Sequence, residues 1–200
     1  MKKILFVCSH LYSGSSGLCD ALNRHPRIQG YNFASKNSYT SPHSLMYLTD
    51  QIHKCTNKAA IYMDELLKNH QLSTKSAYGI CKFIYVLREP EVVLSYLIKQ
   101  ERIKPEFAVR NYLFRIRRMC EMSKRSGGIL LTWNDLTARK GIDLIEDYLE
   151  LKQKIPYDEV LLRPYARQYG LIDSKLLQKT EDAYQKYLYW IKTETKLKYL

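Results

Sequence analysis

The chain sets short, continuous apolar runs between longer stretches of helical period. Ile4–Cys8 and Phe83–Leu87 are unbroken rather than alternating, and Ile129–Trp133 is interrupted only by Thr132, as parallel strands covered on both faces are. Ile28–Tyr31 reads as a further short strand. Leu18, Ala21 and Leu22 open a first helix, Leu45–Lys54 and Ala59–Asn69 have helical spacing, and Ala60, Met63, Leu66 and Leu67 give the second of these an apolar face. A helix starting at Pro90, an amphipathic one over Phe107–Lys124, and others over Ile142–Leu151 and Leu176–Leu197 complete the pattern. Asn32–Ser44 is polar without period and reads as a loop, and Lys154–Tyr169 is irregular and punctuated by Pro. The expected architecture is one domain over residues 1–200: an α/β fold of three layers, its parallel sheet of about four or five strands flanked by helices on both faces. The ligand crevice falls at the carboxyl ends of strands 4–8, 83–87 and 129–133.

Two junctions carry candidate chemistry. Between the first strand and the first helix stand Ser13, Gly14, Ser15, Ser16 and Gly17. Small residues there let the backbone approach a ligand and aim several N–H groups at it, at the positive end of a helix dipole. An anion, above all a phosphate, fits such a turn; a plain strand–turn–helix with a Ser cap is the bland alternative. The second junction is Arg88-Glu89-Pro90. An Arg at the end of a parallel strand, facing the same crevice, can grip a second phosphate with its planar fork, or pair with Glu89 or Glu91 instead.

Composition narrows the partners without choosing one. With 46% hydrophobic and 12% aromatic residues the chain is not a disordered one, and a formal charge of +12 attracts polyanions, whether nucleotides, acidic substrates, membrane surfaces or nucleic acid. Cys8, Cys19, Cys55, Cys81 and Cys120 are scattered in apolar contexts and read as reduced core thiols, not as a disulfide framework or a metal site. Lys2-Lys3 ahead of Ile4–Cys8 imitates a secretory leader only faintly, because the apolar run stops short at Ser9-His10. A cytoplasmic protein without a membrane span is expected.

Three segments, in order, resemble the sulfotransferases that use 3′-phosphoadenosine 5′-phosphosulfate. Leu11-Tyr12-Ser13-Gly14-Ser15-Ser16 followed by LCDALNRHPRI is similar to that family's 5′-phosphosulfate loop. Lys82–Tyr96 resembles its 3′-phosphate segment of strand, Arg, x, Pro and a helix with Ser. Leu130–Leu136 with Leu144–Leu151 resembles the strand that ends in Tyr-Glu-Asp-Leu and the helix after it. The resemblance spans most of residues 4 to 151. It implies a P-loop-like nucleotide-binding fold, transfer of a sulfuryl group to a hydroxyl or amine, an anionic nucleotide and a small-molecule or glycan acceptor as partners, and no metal. It also implies that Ser13, Gly14, Ser15, Ser16 and Gly17 hold the 5′-phosphosulfate while Arg88 and Ser95 hold the 3′-phosphate.

The departures from the family pattern are specific. Tyr12 stands where the family places a catalytic Lys or Arg, and a phenol supplies no fixed positive charge. His10, two residues earlier, is the expected catalytic substitute. The spacing from Arg88 to Ser95 is one residue shorter than the family's, and Arg139-Lys140-Gly141 imitates a family motif in the wrong place. His10, His43, His53, Asp64 and Glu65 are the candidates for a general base. A P-loop kinase is disfavoured because Leu18, not Lys, follows Gly17. A non-catalytic module for nucleotides or other polyanions, nucleic acid included, remains the rival from another class.

Overall fold

The computed structural model describes residues 4–10, 12–32, 59–64, 81–156, 172–194 and 197–198. Its strands are β1 (Ile4–Ser9), β2 (Ile28–Asn32), β3 (Ala59–Asp64), β4 (Cys81–Leu87), β5 (Gly128–Thr132) and β6 (Leu197–Lys198). Its helices are α1 (Ser15–Asn23), α2 (Pro90–Lys99), α3 (Pro105–Ser126), α4 (Trp133–Thr137), α5 (Arg139–Leu149) and α6 (Ser174–Glu194). All six strands form one parallel sheet in the order β2-β3-β1-β4-β5-β6.

The continuous apolar runs are explained by burial on both sides. Leu5 and Val7 of β1, Ile84 and Val86 of β4, and Ile129 and Leu131 of β5 pack against α1, α4 and α5. Phe6 and Cys8, Phe83, Tyr85 and Leu87, and Leu130 face the other way, into a core closed by α2, α3 and α6. Alternate residues of each strand point to opposite faces, so a strand with helices on both sides has no polar face to show. Phe6 and Phe83 are register partners on neighbouring strands, and their rings stack at 5.4 Å. Cys8, Cys19 and Cys120 are buried free thiols, and burial pushes the Cys120 thiol up to about 12. Cys55 lies outside the described residues.

The structure corrects three boundaries. Residues 59–64 of the expected helix Ala59–Asn69 are strand β3, hydrogen-bonded between β1 and β2; a short continuous apolar run fits either element, and the ladders on both sides decide it. The expected terminal helix stops at Glu194, and Leu197–Lys198 pairs with β5 as an edge strand, so the sheet has six strands. The third apolar run ends at Thr132, not Trp133, because Thr132 and Asp135 form a capping box. The Asp135 carboxylate accepts the Thr132 N–H at 2.6 Å and its hydroxyl at 2.7 Å, while Thr132 Oγ1 accepts from the Asp135 N–H at 3.4 Å. The polar loop from residue 33, the expected helix Leu45–Lys54 and residues 157–169 lie outside the described residues.

Candidate functional site

Three strand ends meet at one edge of the sheet. After β1 the chain turns through His10 to α1, with the Ser13 N–H donating to the His10 carbonyl at 3.3 Å. Tyr12 and Gly14 both take left-handed φ, 60° and 94°. Gly14 is the N-cap of α1, and no side chain caps that end, so its N-terminal N–H groups stand where the helix dipole favours an anion. Ser9 Oγ donates to Ser15 Oγ at 2.8 Å and fixes the first residue of the helix under the strand end. Ser13 is buried, and its hydroxyl has no hydrogen-bond partner among the described residues. A buried hydroxyl in that condition costs about 1–3 kcal/mol, which a ligand oxygen can recover. Ser16 is exposed on the first turn and Gly17 is half-buried beside it.

Arg88 follows β4 directly and is 2% exposed despite its charge. Its guanidinium carbon lies 3.9 Å from the centroid of the Trp133 ring, and its NH1 donates to the Tyr12 carbonyl at 3.2 Å. The same indole packs on the loop after β1: a Cβ added at Gly14 would overlap its six-membered ring. Trp133 therefore joins the loop after β1 to the cation after β4. Sequence reasoning left it as the last residue of a strand; the available signal was an aromatic residue immediately before Asn-Asp-Leu in the third family-like segment.

His10 is 1% exposed, and its Nε2 accepts the Arg88 backbone N–H at 3.1 Å. A backbone N–H can only donate, so Nε2 is the acceptor of this bond. His10 thus ties two strand ends together in this geometry. Tyr112 of α3 reinforces the tie, donating its hydroxyl to the Arg88 carbonyl at 2.6 Å, with its ring 5.0 Å from the imidazole. Burial, with smaller contributions from Tyr184, Glu181 and Glu89, holds the Tyr112 phenol well above its ordinary range. Tyr184 is raised too, by burial and then by Glu89, Glu181 and Asp135; of these carboxylates the sequence had offered Glu89 as a partner for Arg88, whereas Glu181 carried no signal.

The remaining expected residues separate. Ser95 is buried a turn and a half into α2, where its hydroxyl donates to the Glu91 carbonyl at 2.6 Å; holding an anion requires rotating that proton away. Tyr12 turns from the loop toward α2, its hydroxyl donating to Glu101 Oε1 at 2.5 Å and its ring 5.2 Å from that of Tyr96. Asp64 ends β3 in register with Cys8. His43, His53 and Glu65 lie outside the described residues. Arg139 holds α5 to the chain after it, donating to Asp143 and Glu146 at 3.0 and 2.6 Å and to the Ile155 carbonyl at 3.2 Å, which gives the Arg-Lys-Gly triplet a local structural role.

No family model matches the sequence, and no curated protein does so significantly. Solved structures do match. The sulfotransferase domain of the olefin synthase of Synechococcus PCC 7002 superposes with a TM-score of 0.60 at 17% identity, over 96% of this chain and 95% of that one. The fold is a sulfotransferase fold. A sulfotransferase from Alicyclobacillus acidocaldarius gives 0.59 at 14% identity, over 99% of this chain and 97% of that one. On this sulfotransferase fold the three family-like segments become strand–loop–helix at 4–23, strand–Arg88–helix at 81–99 and strand–helix at 128–149, side by side as β1, β4 and β5.

Proposed function

We propose that the chain is a sulfotransferase that binds 3′-phosphoadenosine 5′-phosphosulfate at the ends of β1, β4 and β5 and moves its sulfuryl group to a hydroxyl or amine of a small-molecule or glycan acceptor. The observation that carries this reading is the buried, unpartnered Ser13 hydroxyl beside the uncapped N-terminus of α1. The residues present fit such a donor: N–H groups and hydroxyls from Ser13 to Gly17 for the 5′ end, and the planar cation of Arg88 for the 3′-phosphate. When bound, the donor supplies the sulfuryl group and a phosphate leaving group. Sulfuryl transfer is close in physics to phosphoryl transfer, so positioning and charge neutralisation are what the protein contributes.

In this reading Trp133 keeps the loop and Arg88 in fixed relation and shields the guanidinium from water, where a cation over an indole is worth about 2 kcal/mol. His10 is a positioning residue, because it orients the Arg88 backbone through Nε2. The scattered cysteines, without the spacing of a disulfide framework or a metal site, support a cytoplasmic enzyme. No helix among the described residues is long and apolar enough to cross a membrane.

A second reading has one observation in its favour. The Tyr12 hydroxyl is engaged by Glu101, so the position that carries the family's cation contributes none, which suits a protein that binds the nucleotide without turning it over. Incubation with sulfur-labelled donor and a broad panel of hydroxyl and amine acceptors separates the two. Label on any acceptor supports transfer; donor binding without transfer supports the second reading, and neither supports a module for other polyanions.

A further inference from the structure

We propose that the outer face of α3 and α6 is a docking surface for an anionic lipid bilayer, a property distinct from the nucleotide site. Three large hydrophobic side chains are exposed among the described residues, Phe107 at 59%, Phe114 at 57% and Tyr189 at 71%, and all three lie on these two helices. The helices pack against each other on one side of the sheet, where Tyr112, Ile116, Met119, Tyr184 and Ile191 are their buried contributions to the core. The aromatic residues in question are therefore on the opposite side, turned outward.

Their chemical setting selects the partner. Phe107 and Phe114 are two helical turns apart, about 10.5 Å along the axis, and the exposed Arg110 and Arg117 continue the same stripe. α3 carries six Lys and Arg against two Glu, and of the six Arg115 is buried, bonded to Asn111. Arg117 and Arg118 share the carboxylate of Glu121 at 3.2 and 3.3 Å, so one positive charge persists even at that cluster. On α6 the exposed Lys175, Lys179 and Lys186 outnumber the one exposed acid on the stripe of Tyr189, Asp182. A second copy of the chain would meet this face with like charge. Separate rings divided by arginines also lack the contiguous apolar core of a protein interface, and an outward helix stripe is a ridge, not a groove for a peptide. A bilayer with acidic headgroups accepts both features, taking Phe rings into the acyl boundary while Arg and Lys remain at headgroup level.

The test is co-sedimentation of the full chain with vesicles of phosphatidylcholine, alone or mixed with phosphatidylglycerol, alongside binding to a single-stranded oligonucleotide, whose bases stack on exposed rings. Partitioning onto the mixed vesicles at least about tenfold above the neutral ones is expected, as is its loss on Arg110→Gln/Arg117→Gln. Phe107→Ser/Phe114→Ser is expected to weaken vesicle binding about tenfold or more, and Phe107→Leu/Phe114→Leu to retain it. Circular dichroism confirms that these outward variants fold. Vesicle binding unchanged by the Ser pair, or tight oligonucleotide binding with the vesicles ignored, overturns the proposal.

Discussion

His10 Nε2 accepts the backbone N–H of Arg88 at 3.1 Å, joining the residue after β1 to the residue after β4. Both are buried, at 1% and 2% exposure, so removing the acceptor leaves an N–H with no water to replace it. His10→Ala is expected to cost about 1–3 kcal/mol of stability and to weaken product-nucleotide binding through Arg88. His10→Asn, whose carboxamide oxygen can accept the same N–H, is expected to recover part of both. Chemical denaturation and calorimetry on the two variants check this. Full stability and unchanged affinity in His10→Ala would return the imidazole to the role of a catalytic cation.

Gly14→Ala adds a methyl group where the Trp133 ring already sits and places it on a backbone with φ 94°. The left-handed conformation alone disfavours a side chain by about 1–2 kcal/mol. Loss of nucleotide binding is expected with it. In a Trp133→Leu background the steric part is relieved and the backbone part remains, so the double-mutant cycle is expected to show coupling of about 0.5–3 kcal/mol. Strict additivity would mean that ring and loop are not in contact.

The two-faced burial of the strands and the loop were legible because each rests on local chemistry. Leu5 and Val7 alternate with Phe6 and Cys8 between two cores, which only a parallel strand under helices on both faces requires, and small residues from Ser13 to Gly17 mark a turn before a helix. The short run Ala59–Met63 was not legible as a strand, since its pairing with β1 and β2 is a non-local property. The partnership of Trp133 with Gly14 and Arg88 was hidden for the same reason. So was the engagement of Tyr12 by Glu101, 89 positions away: a sequence shows the missing cation but not where the phenol goes.

Tyr12→Lys tests the consequence of that substitution. Both residues carry a Cβ, so the left-handed backbone at φ 60° adds no new strain, and the exposed bond to Glu101 is a small loss. If the missing cation limits transfer, turnover is expected to rise by as much as the ~2.7–4 kcal/mol that one preorganised donor contributes. Tyr12→Phe, assayed beside it, is expected to leave nucleotide affinity unchanged. No turnover in wild type or Tyr12→Lys across the acceptor panel favours the binding protein.

Alkaline stability reports on the buried phenols. Tyr112 and Tyr184 have folded pKa values raised above the ordinary range by burial and nearby carboxylates. The unfolded chain therefore loses these protons first, near pH ~10. Their contribution is fully present below that pH and is lost as pH rises toward the folded values. Denaturation midpoints measured on either side of pH 10 are expected to fall steeply in wild type and less steeply in Tyr112→Phe. That variant also loses the hydrogen bond to the Arg88 carbonyl, about 1 kcal/mol at neutral pH. An identical alkaline slope in both proteins would place the phenol in water.

Titration calorimetry with 3′-phosphoadenosine 5′-phosphate and, in parallel, adenosine 5′-phosphate decides whether the ends of β1, β4 and β5 hold a 3′-phosphoadenosine nucleotide. The first is expected to bind more tightly, and Arg88→Ala to weaken it by about 1.5–3 kcal/mol, the scale of a hydrogen bond to a charged group, while hardly affecting the second. Arg88→Lys, which keeps the charge but not the fork, is expected to fall between. Equal binding of the two nucleotides by wild type, or binding of neither, would contradict such a site.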